Sequence, residues 1–320
     1  MQRKTILPLT GLLTLFVVLG VALRNPSCSA SESTTPIQPP QNPLPLERVS
    51  GVNLFHLEPN DEFDAYLANP DLVSNFVALQ WNTFRLPIEW DDYIEQGILD
   101  PRKVARARLG IQALISRLKE VHQQTGKPLF LILDFHQYKF GQVCGGVGVP
   151  RGAIPEEGLS ASDSNCLFKA YDRFWQNQNR VQDRWNEWAL SLLEGVAPLL
   201  AQNSAWLSLG IEPMNEPQFG LPNGLFAGGN PVAALLGLKR WAESGAPQRQ
   251  VDLNLIPFYQ RFVGALRAKP FGAALLEGAF FIAEPFVFDH LRLSLGMAPL
   301  LFDIRIDGRY TGMGALTSTS

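Results

Sequence analysis

The stretch Leu129-Phe130-Leu131-Ile132-Leu133-Asp134-Phe135-His136-Gln137 constrains this chain more than any other. A strand with one wet face alternates apolar and polar residues. A run this continuous has no polar face to show, so it reads as a parallel strand covered by helices on both sides. Two further runs have the same character. Asn82-Thr83-Phe84-Arg85-Leu86-Pro87-Ile88-Glu89-Trp90 is β-branched and aromatic, with Arg85 inside it. Leu207-Ser208-Leu209-Gly210-Ile211 leads into Glu212-Pro213-Met214-Asn215-Glu216-Pro217, where Pro217 forbids further ladder pairing and turns the chain outward. Three buried strands therefore finish, in chain order, in Arg85, in His136 and in Asn215-Glu216.

Helical patterns lie between these runs. Lys103 to Thr125 carries apolar residues at helical spacing and is stopped by Gly126-Lys127-Pro128. Helices are also expected over 61–79, 168–202, 232–244 and 254–269. Val49 to Phe55 reads as a first strand, with Asn53 and His56 near its end. Ala279 to Pro285 reads as a fifth strand and Met297 to Asp303 as a sixth. Alternation of this kind predicts an α/β fold built on a parallel sheet. Residues 49–320 suffice for one domain of (β/α)8 TIM-barrel size, ~250 residues. The hydrophobic fraction of 46% and aromatic fraction of 10% can fill such a core. A net charge of −3 argues against nucleic acid, which needs a basic face. Gly145-Gly146-Val147-Gly148 is no phosphate loop, because it sits inside the long segment Lys139 to Asn165 rather than joining a strand directly to a helix. That segment and the Gly/Pro-rich 218–230 are expected to wall a cleft.

Arg3 and Lys4 precede an apolar stretch, Thr5 to Leu23, which reads as a signal peptide cleaved after Ala30 or as a membrane anchor. Residues 31–48, rich in Pro and Ser, make a linker. The domain is thus expected to be secreted or extracytoplasmic, with a membrane tether through residues 5–23 as the alternative. Of three cysteines, Cys28 falls in the leader, while Cys144 and Cys166 share one loop as a disulfide pair or as free buried thiols. The chain has four histidines and shows no His-x-His or Cys/His spacing of a metal site, so neither metal nor cofactor is expected.

Two carboxylates flanking a glycosidic bond suffice to hydrolyse it, one protonating the leaving oxygen and one attacking or activating water. Glu216, at a strand mouth, suits the first role, and the amide of Asn215 can bind a sugar hydroxyl beside it. Trp90 is the expected stacking platform for a sugar ring. The ordered set Asn82-Thr83-Phe84-Arg85-Leu86-Pro87, Leu133-Asp134-Phe135-His136-Gln137 and Met214-Asn215-Glu216-Pro217 resembles glycoside hydrolase family 5, the cellulase-like retaining (β/α)8 glycosidases, and most of all its endoglycosylceramidase group. Tyr171-Asp172-Arg173-Phe174-Trp175 and Val181-Gln182-Asp183-Arg184-Trp185 also look like that group, and the resemblance spans roughly residues 49 to 303. It implies an O-glycosyl hydrolase of oligosaccharides, polysaccharides or glycolipids, with Glu216 as acid/base, Arg85 orienting the nucleophile and His136 binding the sugar. If the substrate is a glycolipid, Phe140, Val143, Val147, Val149 and Phe219 are the residues to meet its apolar part, the alternative being that they pack inward. Asp134 and Glu212 read as buried partners in that network. The chain departs from the group at Tyr138, where Asp is common, and at Leu300 and Leu301, where the family carries His and Tyr. The family's nucleophile ends strand seven. Here Glu284 ends only the fifth strand by count, and no Glu follows Asp303. The expectation is a barrel truncated before strands seven and eight, as a shortened gene product or a fragment of a longer protein; the alternatives are an unusual barrel with Glu284 in the nucleophile's place and an inactive or purely carbohydrate-binding relative.

Overall fold

The computed structural model describes residues 51–163, 165–215, 217, 251–281, 305–306 and 309–310. The leader, the linker at 31–48, Glu216, Phe219, the helix expected over 232–244, Glu284 and the run Met297 to Asp303 lie outside the described residues.

Strand β1 (Gly51–Asn53) is followed by helices α1 (Asp61–Leu67) and α2 (Leu72–Ala78) and then by β2 (Thr83–Glu89). The single helix expected over 61–79 is two helices, because Pro70 lacks an N–H and excludes helical geometry at the residue before it. A small hairpin, β3 (Ile94–Glu95) with β4 (Ile98–Leu99), leads into α3 (Pro101–Thr125). Asp100 caps α3 by accepting from the Arg102 N–H at 2.8 Å, and Gly126 ends it with a φ of 66°, which a side chain would resist. Its buried stripe of Ala107, Ile111, Leu114, Ile115, Leu118 and Val121 faces the sheet. Each aliphatic side chain so buried contributes on the order of 1.5–3 kcal/mol. Then come β5 (Leu129–His136), α4 (Cys166–Trp175), α5 (Val181–Asn203) and β6 (Leu207–Glu212). The helical region expected over 168–202 breaks between α4 and α5, where Asn177, Asn179 and Arg180 take left-handed φ values. Finally α6 (Ile256–Arg267) and α7 (Gly272–Gly278) precede β7 (Ala279–Phe281), and a short hairpin pairs β8 (Arg305–Ile306) with β9 (Arg309–Tyr310).

Five of these strands form one sheet in the order β1-β2-β5-β6-β7, every pairing parallel. The order follows the chain without reversal. A doubly wound sheet turns back at a switch point, whereas a barrel must add each strand to the same edge. Burial fits a sheet covered on both sides. Thr83 to Ile88 of β2 and Leu129 to Phe135 of β5 are all buried. Helix α6 contributes Phe258, Tyr259, Phe262, Val263 and Leu266 to the core, with Phe262 against Phe135 and Phe258 against Phe174. No helix among the described residues is long and apolar enough to cross a membrane.

Candidate active site at the carboxyl ends of the strands

Register decides which side chains meet. Pro87 of β2 pairs with Asp134 of β5, and Asp134 pairs with Glu212 of β6. Because side chains alternate along a strand, Arg85, two residues before Pro87, shares their face. The three charged groups converge. The Arg85 guanidinium donates through Nε to Glu212 Oε2 at 2.8 Å and through Nη2 to Asp134 Oδ2 at 2.9 Å. Nη2 also donates to Asn215 Oδ1 at 2.7 Å, and Nη1 reaches Asn53 Oδ1 at 3.5 Å. Asp134 Oδ2 also lies 2.7 Å from His136 Nδ1, two residues along the same strand. In the neutral ring a proton on Nδ1 in that contact leaves Nε2 as an acceptor, and in the charged ring both nitrogens donate.

Asn215 is fixed from every side. Its N–H donates to the Phe135 carbonyl at 3.2 Å, and its Nδ2 donates to the Gln137 carbonyl at 3.0 Å. Gln137 returns a bond from Nε2 to the Asn215 carbonyl at 2.8 Å and accepts from the Phe140 N–H at 2.9 Å. Trp185 Nε1 donates to the Pro213 carbonyl at 2.8 Å, holding the turn that delivers Asn215. The residue after this clamp is Glu216, outside the described residues.

The electrostatics are those of a dry cluster. Asp134 and Glu212 are 0% and 1% exposed. Burial pushes Glu212 up to about 7, and the charge of Asp134 adds to this while Arg85 and His136 oppose it. Burial would lower His136, but the charge and hydrogen bond of Asp134 outweigh it and leave the imidazole above its ordinary value. Tyr259 is driven well above its ordinary range by burial and by the charges of Glu212 and Asp134. Asp134 Oδ1 and Glu212 Oε1 are shut off from solvent with no hydrogen-bond partner among the described residues.

A second cluster lies on the same sheet edge. Glu89 is the register partner of His136, and beside it stand His56, Glu58, Asp91 and Asp92. His56 Nε2 lies 2.6 Å from Glu58 Oε1 and 3.8 Å from Asp92 Oδ2. His56, Glu89 and Asp92 each offer a ligand atom, all within 4.8 Å of one another. Burial, then the charges of Asp91, Glu89 and Glu58, lift Asp92 to about 7 against the pull of Lys103. Sequence spacing did not disclose this set, because His56 and Glu89 come from different strand ends.

The structure thus brings Arg85, His136 and Asn215 together, and it moves Trp90 elsewhere. Trp90 is 3% exposed, wedged between Trp185 and Trp188 at ring separations of 5.8 and 6.1 Å, so it is core and not a stacking platform. It turns inward because it opens a 3-10 turn, Trp90–Tyr93, under the 139–165 loop, donating from N to the Gly148 carbonyl at 3.1 Å. Cys144 of that loop is joined by a disulfide to Cys166, the first residue of α4. Phe140, Val143 and Val149 pack inward, so of the apolar residues expected to meet a substrate there only Val147 is exposed. Among the described residues, Phe55 and Tyr138 are exposed aromatics near these strand ends, at 41% and 51%. Gln137 is the site residue that sequence reasoning passed over as a mere neighbour of His136; its double amide clamp on Asn215 has no sequence signature.

No protein-family model matches the chain, and no curated protein does. Solved structures do. An endo-glycoceramidase II from Rhodococcus sp. in complex with a five-membered iminocyclitol aligns with a TM-score of 0.49 and 14% identity, covering 81% of this chain and 54% of that one. The lactosyl-enzyme intermediate of the same Rhodococcus protein aligns with a TM-score of 0.47 and 15% identity, covering 81% and 55%. The chain spans about half the length of these structures. At this distance the likeness carries no functional weight.

Proposed function

We propose that this chain is a retaining O-glycosyl hydrolase on a (β/α)8-type scaffold, with Glu216 as acid/base and a β-linked glycan or glycolipid as substrate. One observation carries the reading: Asn215 is locked by Arg85 and Gln137 at the carboxyl end of the third of three consecutive parallel strands, immediately before Glu216. In α/β folds the carboxyl ends of the strands are where substrates bind. An amide held this firmly presents a fixed hydrogen-bonding edge to a sugar hydroxyl, and the residue after it is the proton donor. Arg85 supplies positive charge to hold a carboxylate nucleophile ionised, and His136, oriented by Asp134, offers Nε2 toward a hydroxyl. The acid must keep a proton near neutrality; once the nucleophile is glycosylated, its negative charge is gone and the same Glu can serve as base. Glu284 remains the candidate nucleophile. The resemblance of the three strand-end motifs to family 5 glycosidases supports this assignment of roles. The Cys144–Cys166 disulfide supports an oxidising, extracytoplasmic location, with residues 5–23 as signal or tether.

The test is hydrolysis of an aryl β-glucoside, an aryl β-cellobioside and a fluorescent glycosylceramide by the full chain and by its Glu216→Gln and Glu284→Gln variants. Loss of glycosylceramide turnover in both variants, and of aryl glycoside turnover in Glu284→Gln, is the expected outcome. A folded parent that binds oligosaccharide without turnover would replace this reading with a carbohydrate-binding one.

A further inference from the structure

We propose that His56 Nε2, Glu89 and Asp92 form a binding site for one divalent first-row cation of the Mn2+ and Zn2+ class, independent of the glycosidase reading. The three donor atoms lie within 4.8 Å of one another. Around one ion with bonds of ~2.1 Å, tetrahedral donors stand about 3.4 Å apart, so side-chain rotations of roughly 1 Å close the shell. The donors ride on fixed backbone. Glu89 ends β2, and Asp92 belongs to the 3-10 turn whose Trp90 and Tyr93 are buried. The His56 segment is tied to β2 by Leu54 N to the Arg85 carbonyl and Leu57 N to the Pro87 carbonyl, both at 2.8 Å.

A separate observation points to a ligand. Asp92 Oδ2, the oxygen that faces His56 Nε2, is closed to solvent and has no hydrogen-bond partner among the described residues. A carboxylate oxygen stripped of water and given no donor is costly, and a cation placed between it and the imidazole removes that cost. The surroundings are short of positive charge in the same sense: Glu58, Glu89, Asp91 and Asp92 crowd around two imidazoles and Lys103. Glu58, now on His56 Nε2, would give up that contact and stand as the fourth ligand, the third through oxygen. One imidazole nitrogen with carboxylate oxygens favours Mn2+ or Zn2+ over Ca2+ and Mg2+, which take oxygen ligands.

The test uses the full chain stripped with a chelator, then titrated with Zn2+ by calorimetry and with Mn2+ by electron paramagnetic resonance. One saturable equivalent is expected, with affinity falling at least tenfold in each of Asp92→Asn, Glu89→Gln and His56→Ala. These positions are partly exposed, and circular dichroism checks that each variant folds. His122→Ala, on α3 and remote from the set, is expected to bind like the parent. The assignment is overturned by absence of saturable binding, by affinity that survives both Asp92→Asn and His56→Ala, or by Ca2+ or Mg2+ binding more tightly than Mn2+ and Zn2+.

Discussion

Arg85 is the residue on which the site's charges depend. Its guanidinium lies between two carboxylates that are almost wholly buried, so removing it leaves Glu212 uncompensated and Asp134 with His136 alone. Breaking a buried ion pair from one side costs about 3–5 kcal/mol. Arg85→Met is therefore expected to lower unfolding free energy by that amount, read by urea denaturation, while an equally stable variant would mean the cluster is better solvated than its burial indicates. Glu212 makes a claim about pH. Its carboxyl is raised from 4.5 to about 7 by burial and by Asp134, against Arg85 and His136, so the folded protein holds this proton more tightly than the unfolded chain. The associated stability is fully present below about 4.5 and is lost as pH rises through about 7, a change on the order of 1–3 kcal/mol. Glu212→Gln is expected to reduce that slope in thermal unfolding between pH 4.5 and 8, without abolishing it, because Asp92 contributes with the same sign. A slope unchanged in Glu212→Gln would assign the titration elsewhere.

At the scale of elements, the 139–165 loop and the end of β5 are one unit. Gly148 has a φ of 94°, and a Cβ there would lie 2.3 Å from the His136 carbonyl oxygen. Its N–H donates to Asp91 Oδ1 at 2.8 Å and its carbonyl accepts from Trp90, so the glycine joins β2, β5 and the loop. Gly148→Ala is expected to lower the melting temperature by several degrees and to weaken substrate binding, measured by calorimetric unfolding and KM; a silent substitution would show that the loop is docked less closely. These elements differ in how far the sequence reveals them. The three apolar runs were legible as parallel strands because burial on both faces removes all alternation, and α3 was legible from its spacing and its Gly126 stop. The break at Pro70 and the left-handed residues between α4 and α5 were not, since apolar spacing continues across them. The inward turn of Trp90 was also hidden. An aromatic residue past a strand end looks the same in sequence whether it faces solvent or, as here, lies under a loop brought back from roughly fifty residues downstream.

Across the molecule, what the sequence conveyed about the site was the identity of the residues at strand ends, and what it could not convey was their pairing. Arg85 was visible as a charge inside a buried run, and His136 and Asn215 as polar residues closing theirs. That one guanidinium would bind Asp134, Glu212 and Asn215 together, or that His56 would meet Glu89 and Asp92, comes from the strand order and register of the sheet. The proposed activity rests on Glu216, the residue that follows Asn215 in the chain. Protonation of the leaving oxygen is indispensable for a poor leaving group and superfluous for a good one. The decisive measurement is therefore kcat/KM of the parent and of Glu216→Gln on two glycosides of the same sugar, one with an alkyl or lipid leaving group and one with dinitrophenolate. A loss of at least about a hundredfold on the first with little loss on the second is predicted for an acid/base at Glu216. Equal losses on both, or none on either, would contradict it.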